Sequence, residues 1–285
     1  MNATIDTSIK ELLNSKLKKL EELLHADVLV YTGNLGPISP VAFMRIIEEL
    51  VDSEDENRKL YVLLTTNGGS VEIVERYVNI LRKHYSEVNF IVPDYAYSAG
   101  TVFCMSGDNI LMDYFSVLGP IDPQVPNKEG NFVAALGYLD KVNEFIQKAQ
   151  NNTLTKAELI WMKEIDLGQL RQFEQARDLT IDLLKTWLVE YKFKNWTVHK
   201  NKEKVTLEQK KNRAEEIAVQ LSDNKKWKSH GRAIDIKELT ALKLKIDDYG
   251  VDSEKQNAIR DYYYTMTEYL GMTRFPTFIH TRKFI

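Results

Sequence analysis

Residues 88–101 begin with Val88-Asn-Phe-Ile-Val92 and continue, after Pro93, with Asp94-Tyr-Ala-Tyr-Ser98-Ala-Gly-Thr101. A short, apolar, β-rich run of this kind is typical of a strand buried on both faces of a parallel sheet. Small residues flank Ser98, with Ala96 two positions before it and Gly100 two positions after it. A sharp turn from strand to helix tolerates only small neighbours. The pattern therefore predicts a strand, a tight turn that carries Ser98, and a helix.

Further strand and helix signals surround this unit. Two more apolar β-rich runs, Asp27–Tyr31 and Leu60–Thr65, precede it, and Asn109–Met112 predicts one short strand after it. The spacing of apolar residues predicts helices at Pro40–Leu50 and Ser70–Tyr85, between the strands. Strands that alternate with helices form βαβ units. We therefore expect an α/β fold with a mostly parallel sheet and helices packed on it.

The two ends of the chain are predicted to be mainly helical. Leucines recur at helical spacing from Leu12 to Leu24, and the strand signal fades after about residue 132. Three residue pairs have the spacing of a helix capping box: Thr155 with Glu158, Thr206 with Gln209, and Asp235 with Glu238. The pattern predicts an amphipathic helix over residues 1–26, an α/β core over 27–132, and a helical extension over 133–285 that completes the site.

Composition narrows the class of protein. The 285 residues include 38 basic and 41 acidic side chains, so the net charge of −3 does not suggest a nucleic-acid partner. Glu203 and Glu208 interrupt the basic stretch Lys192–Lys211, which favours a solvated linker or helix face. Cys104 is the single cysteine, which leaves no internal disulfide and fits a reducing compartment. No apolar run is long enough to span a bilayer, so we expect a cytoplasmic protein. We also expect no cofactor.

A paired glycine follows the second strand, in Thr65-Thr-Asn-Gly-Gly-Ser70. Gly68 and Gly69 allow unusual backbone dihedrals and present free N–H groups, either to an oxyanion or simply within a turn. The N–H of Ala99 would lie near the start of the helix after Ser98, where it can stabilise negative charge on a carbonyl oxygen. An ordinary N-cap is the alternative interpretation of Ser98.

A third turn reads Leu118-Gly-Pro-Ile-Asp122-Pro-Gln124. Prolines fix the backbone on both sides of Asp122, and Pro123 disfavours a helical conformation there. A carboxylate held in this way could orient a histidine, but an ordinary turn aspartate would have the same sequence.

In this order and spacing, the three turns resemble those of the ClpP superfamily over roughly residues 27–126. Within it, Ser98-Ala-Gly-Thr101, Ser106-Gly-Asp108 and Leu118–Gln124 are most similar to motifs of the serine dehydrogenase proteinase family. The resemblance implies a ClpP/crotonase-like fold, a serine hydrolase, and assembly into dimers or larger rings. Many members of that family begin with a membrane segment, and the lack of one here means that membrane attachment is not implied.

The resemblance also implies a set of catalytic residues. The family is described as using serine, aspartate and histidine in that order along the chain. Three histidines follow Ser98, and one of them, His230, lies in a Ser-His-Gly-Arg sequence that resembles a late motif of the family. The implied roles are Ser98 as nucleophile, His230 as general base, Asp122 as its orienting partner, and the N–H groups of Gly68 or Gly69 and of Ala99 as the oxyanion hole.

Alternatives remain for two of these roles. Asp108 and Asp113 are rivals of Asp122, and His230 could instead be a loop histidine hydrogen-bonded beside a helix start. A lysine base, as in signal peptide peptidases, would be Lys141 or Lys148. Both lie on a predicted helix with polar neighbours that would keep them charged, so a lysine is the second choice for the base, after His230.

We expect a peptidase that acts on a peptide or protein substrate through an acyl-serine intermediate. The alternatives are an acyl-CoA enzyme of the crotonase type and a ring-forming scaffold with an incomplete triad. No phosphate-binding loop of the Gly-x-x-x-x-Gly-Lys kind is present, so an ATPase partner would be a separate protein. The Leu12–Leu24 helix and an aromatic helix around Tyr262 to Leu270 are predicted to supply apolar surface for a homo-oligomer.

Overall fold

The computed structural model describes residues 3–51, 58–126, 130, 132–199 and 201–285. Its strands are β1 Asp27–Gly33, β2 Lys59–Thr65, β3 Glu87–Ile91, β4 Tyr95–Ala96, β5 Asn109–Met112, β6 Val117–Leu118, β7 Gln124–Pro126, β8 Phe132–Ala134, β9 Asp247–Asp248 and β10 Thr277–His280. Its α-helices are α1 Ala3–Leu24, α2 Pro40–Leu50, α3 Val71–His84, α4 Ala99–Met105, α5 Ala135–Gln150, α6 Lys156–Lys163, α7 Leu167–Trp187, α8 Leu207–Ser222, α9 Asn224–Trp227, α10 Ile236–Ala241 and α11 Ser253–Thr273.

A six-stranded sheet with the order β10-β1-β2-β3-β5-β9 forms the centre of the molecule. Strands β1, β2, β3, β5 and β9 pair in parallel, and β10 adds to β1 in the antiparallel direction. The register sets Val62 opposite Phe90, and Phe90 opposite Ile110. The prediction of a mostly parallel α/β sheet is confirmed.

The C-terminal half contributes two strands that the sequence pattern did not predict. Strand β9 consists of Asp247 and Asp248, and its two acidic residues carry no β-rich apolar signal. Strand β10, Thr277–His280, has only four residues, too few for a clear alternation. Both lie at the edges of the sheet, where short strands are common. The predicted helices of this half are present, and all three capping boxes form.

Helices α1 and α11 cover one face of the sheet. Leu13, Leu17 and Leu20 of α1 are fully buried, as are Tyr262 and Met266 of α11, in a cluster with residues of β1 and β2. These two helices therefore pack within their own chain. The apolar side chains that suggested a homo-oligomer surface are thus largely buried against the sheet of the same chain, and the homo-oligomer stays a prediction.

The opposite face of the sheet carries the larger core, into which α2, α3, α4, α7 and α8 pack. Helix α7 continues directly into one π-helical turn at Leu188–Lys192. Within the described ranges, no helix combines the length and apolar character needed to cross a membrane.

Candidate active site

Ser98 occupies the sharp turn between β4 and α4. Its backbone has φ +54° and ψ −121°, a conformation that is costly for a residue with a side chain, by about 1–3 kcal/mol. Ser98 occupies the N-cap position of α4, but its side chain makes no capping hydrogen bond to the helix, so capping does not explain the serine. A half-buried hydroxyl on a strained turn, which makes no hydrogen bond to any of the described residues, is typical of a functional site.

The small residues around Ser98 are required by close packing against the neighbouring loop. A Cβ atom at Gly100 would lie 2.4 Å from Cγ2 of Thr66 and 3.4 Å from Cβ of Ala96. The buried hydroxyl of Thr101 then bonds to the backbone of Ala96 and of Gly119, at 2.8 to 3.0 Å. These contacts explain the sequence pattern that predicted the turn.

Of the paired glycines, Gly68 lies directly against Ser98, and Gly69 lies against the backbone of Leu35. A Cβ atom at Gly68 would lie 2.9 Å from Cβ of Ser98 and 3.3 Å from the nitrogen of Ala99. The N–H of Gly68 donates to Oγ1 of Thr66 at 3.0 Å. In the part of the chain that the structure describes, the N–H groups of Gly69 and Ala99 have no hydrogen-bond partner. Of the two candidate glycines, Gly69 therefore has the available donor.

His230 and Asp122 form a hydrogen-bonded pair across 108 positions of sequence, with 2.9 Å between Nδ1 and Oδ1. Asp122 is almost completely buried, whereas His230 keeps 28% of its side chain exposed. Gln124 also approaches Asp122, with 3.5 Å between Nε2 and Oδ2. The carboxylate is thus positioned to accept a hydrogen bond from Nδ1–H of the imidazole, which leaves Nε2 to act as a base.

Backbone contacts bring these two distant segments together. Leu118 and Ile234 exchange both of their backbone hydrogen bonds, at 3.0 and 2.9 Å. The N–H of Ile121 donates to the carbonyl of Leu221 at 3.1 Å. The pairing of Asp122 with His230 is therefore held by main-chain bonds on both sides.

A cleft of about 620 Å³ contains Ser98, Ala99, Gly68, Gly69 and His230 together, near the carboxyl ends of the parallel strands. Sites in open α/β sheets lie at this edge. Helix α7 forms one wall of the cleft through Ala176, Leu179 and Thr180. Sequence reasoning missed this wall, since an apolar stripe on a helix gives no sign of what it faces.

The rival aspartates are engaged elsewhere. Asp108 forms ion pairs with Arg82, at 2.7 Å, and with Lys194. Asp113 is paired with Arg260 at 2.6 Å and accepts hydrogen bonds from its own turn. Asp108 also accepts a hydrogen bond from the N–H of Val88 in β3, and Asp113 stabilises the turn that follows β5. Both carboxylates therefore have structural roles.

The other two histidines after Ser98 also have structural surroundings. His280 is fully buried between Tyr262 and Asn14, and burial lowers its pKa to about 4. His199 packs edge-on against Trp196 and lines a different cavity.

The structure places the two candidate lysines away from the cleft. Both lie on α5, where Lys141 pairs with Glu144 at 2.9 Å and lines a separate groove. Lys148 donates hydrogen bonds to the carboxylates of Glu158 and Glu144, which raise its pKa to about 12. A lysine held in its charged form cannot accept a proton from a serine, so neither geometry nor charge favours a lysine base.

Residues 44–209 match the model of the family described as ClpP-like SDH-type serine proteinase. The match covers more than half of the 285 residues. The chain belongs to this family. Ser98 and Asp122 lie within the matched residues and His230 lies beyond them. The resemblance seen in the turn motifs, and the fold that it implied, are confirmed.

Two uncharacterized proteins of Methanocaldococcus jannaschii are similar to the chain. One is 29% identical over 121 residues, which are 41% of this chain and 42% of the relative. The other is 28% identical over 160 residues, which are 52% of this chain and 51% of the relative. The chain thus spans about half the length of the curated relatives it matches.

Among solved structures, two forms of the 1510-N membrane-bound stomatin-specific protease are similar. A serine-to-alanine mutant has a TM-score of 0.45 and 13% identity, covering 78% of this chain and 77% of its own. A lysine-to-alanine mutant in complex with a substrate peptide has a TM-score of 0.34 and 16% identity, covering 57% and 60%. Similarity at this level bears on neither the site residues nor the substrate.

Proposed function

We propose that this protein is a serine peptidase that cleaves peptide bonds through an acyl intermediate on Ser98. The observation that carries the proposal is one cleft that holds a strained serine, two backbone N–H groups without a partner among the described residues, and a histidine bonded to a buried aspartate. Membership of a family of serine proteinases supports the same reaction class.

In the proposed mechanism, Ser98 Oγ attacks the carbonyl carbon of the scissile bond while His230 Nε2 accepts the hydroxyl proton. The N–H groups of Gly69 and Ala99 would bind the oxyanion, which is the charge that develops in the transition state. His230 then gives the proton to the leaving nitrogen, and the C–N bond breaks. Water attacks the acyl-serine with the same proton transfers, and the peptide acid is released. Asp122 keeps the imidazole oriented and stabilises its charged form.

The lining of the cleft favours an apolar substrate side chain next to the scissile bond. Val71, Val102, Ile121 and Leu179 line it, alongside backbone of the glycine loop. Apolar walls with a few polar groups are typical of sites that bind a substrate by burial and orient it by hydrogen bonds. We therefore propose peptides with an apolar residue at the cleavage position as the substrate class.

The two alternatives predict different chemistry from the same cleft. An acyl-CoA enzyme of the crotonase type needs positioned acids rather than a nucleophile. Its chemistry would not explain why Ser98 is held in a strained conformation. A scaffold needs no bond between His230 and Asp122. A homo-oligomer and a separate ATPase remain proposals that rest on the family resemblance alone.

Hydrolysis of an internally quenched peptide library tests the function. We expect cleavage after apolar residues, and a loss of at least about 10³-fold in Ser98→Ala because the nucleophile is gone. Ser86→Ala is the matched control, since Ser86 is an exposed serine that bonds to a loop carbonyl. Equal hydrolysis by Ser98→Ala would refute the peptidase, and turnover of acyl-CoA by the same variant would favour the crotonase alternative.

A further inference from the structure

A second cavity, of about 760 Å³, lies at the opposite end of the sheet, where β3 and β5 begin. Glu87 and Asn109 from the starts of these strands form its floor. The π-helical turn Leu188–Lys192 and the loop after it form one wall, and Lys243 and Lys245 form another. The mechanism proposed above uses none of these residues.

The cavity has an excess of positive charge. Its acidic residues are neutralised, because Asp108 pairs with Arg82 and Lys194, and Glu87 pairs with Lys59 at 3.5 Å. Two other basic side chains of the cavity are paired as well, as the ion pairs Arg213 with Glu216 and Lys245 with Asp247 show.

Lys192 and Lys243 differ from these side chains. Among the described residues, neither ammonium group has a carboxylate or carbonyl partner, although both line the cavity. Burial lowers the pKa of Lys192 to about 8. An ammonium group kept in such surroundings without a partner costs stability, which a ligand of opposite charge would offset at Lys192. Lys243 is exposed, so its ammonium group is accessible to the same ligand without that cost.

Aromatic rings complete the cavity. Tyr191, Phe193 and Trp196 line it, and Trp196 is partly exposed. Phe193 and His199 each contact Trp196 edge-on, at centroid distances of 5.6 and 5.5 Å. A flat ring can stack on such an indole, and amide groups such as that of Asn195 can bond to its edge.

We propose that this cavity is a binding site for a nucleotide, that is, a phosphate ester attached to a flat heterocyclic ring. The ammonium groups of Lys192 and Lys243 bind the phosphate, and the face of Trp196 receives the ring. A phosphate monoester carries close to two negative charges at neutral pH, which matches the two unpaired cations. The site is distinct from the cleft of Ser98, and it stands whether or not the chain is a peptidase.

Isothermal titration of the full chain with adenosine monophosphate tests the proposal. We expect saturable binding, weakened about ten- to a hundred-fold in Lys192→Met and in Lys243→Met, since each loses a charge-assisted contact. Lys156→Met is the matched control, because Lys156 is an exposed lysine on α6 outside the cavity and its loss changes the net charge equally. Ser98→Ala should bind as the wild type does.

Two comparison ligands separate the phosphate from the ring. Adenosine and inorganic phosphate should each bind at least about ten-fold more weakly than adenosine monophosphate. Binding should also weaken as pH rises through about 8, when Lys192 loses its proton among Asp247, Lys245 and Asp108 and beside the Cys104 thiol. No binding at millimolar ligand, equal binding by both lysine variants, or equal binding of inorganic phosphate would overturn the proposal.

Discussion

The backbone of Ser98 is strained, and among the described residues no hydrogen bond of its side chain accounts for that strain. Its φ of +54° with ψ of −121° lies in a region that glycine adopts readily and other residues avoid. The cost persists because Gly68 packs against the turn on one side and Thr101 ties it to Gly119 on the other. Strain of this kind aims the hydroxyl away from the helix that follows it.

Replacement of Ser98 by glycine should therefore stabilise the fold relative to replacement by alanine. Both variants lose the hydroxyl, but only glycine relieves the strain, and part of that gain is offset by the freedom of glycine in the unfolded chain. We expect the free energy of unfolding of Ser98→Gly to exceed that of Ser98→Ala by about 1 kcal/mol in urea titrations. A Ser98→Ala variant as stable as Ser98→Gly would show that the turn is not strained.

At the scale of elements, the junction of α1, α11 and β10 depends on a neutral histidine. His280 of β10 bonds to the Tyr262 hydroxyl at 2.6 Å and to Asn14 at 2.8 Å, with its side chain fully buried. Burial lowers its pKa from 6.5 to about 4. Above pH 6.5 both folded and unfolded chains hold it neutral, and its contribution to stability is fully present.

Acid should weaken this junction between pH 6.5 and about 4. In that range the unfolded chain binds a proton that the folded chain does not, so the free energy of unfolding falls, by up to about 3 kcal/mol from this group. Thermal unfolding of His280→Gln should depend less steeply on pH over this range. His84→Gln, at the end of α3, is the control and should keep the wild-type slope. Identical slopes for His280→Gln and wild type would contradict this account.

The sequence predicted the elements that have a local signal and missed those that depend on contacts between distant segments. The buried parallel strands and the Ser98 turn have local signals, namely apolar runs and small neighbours, that were sufficient to predict them. The pairing of Asp122 with His230 depends on contacts between distant segments, such as the backbone bonds of Leu118 with Ile234, and only the family resemblance pointed to it. Strand β9 and the α7 wall of the cleft have no local signal at all.

At the scale of the whole molecule, the two cavities lie at opposite ends of the sheet and carry different chemistry. The buried faces of α1 and α11 pack against the sheet within the chain. Apolar side chains that remain exposed include Ile160 and Trp161 on α6 and Leu167 at the start of α7. Because these exposed apolar side chains lie within eight positions of each other, we expect an interaction surface there.

We still expect a homo-oligomer, and sedimentation at micromolar concentration tests it. The expected species is larger than the 33.0 kDa chain. Trp161→Glu should shift it towards the monomer, because a charge would be placed in an apolar interface. Tyr264→Glu on α11, which changes a side chain of similar exposure (57% against 59%), should not. A wild-type monomer would refute the oligomer and leave the catalytic proposal unaffected.

The central claim is that Ser98 is a nucleophile activated by His230 and Asp122. The rate of covalent labelling by a fluorophosphonate, with the adduct mapped by mass spectrometry, measures this directly. The account predicts one adduct per chain on Ser98, slowed by about 10⁴ to 10⁶ in His230→Ala, and little changed in Lys141→Ala or Lys148→Ala. An adduct at another residue, or labelling that survives the loss of His230 and disappears with either lysine, would contradict it.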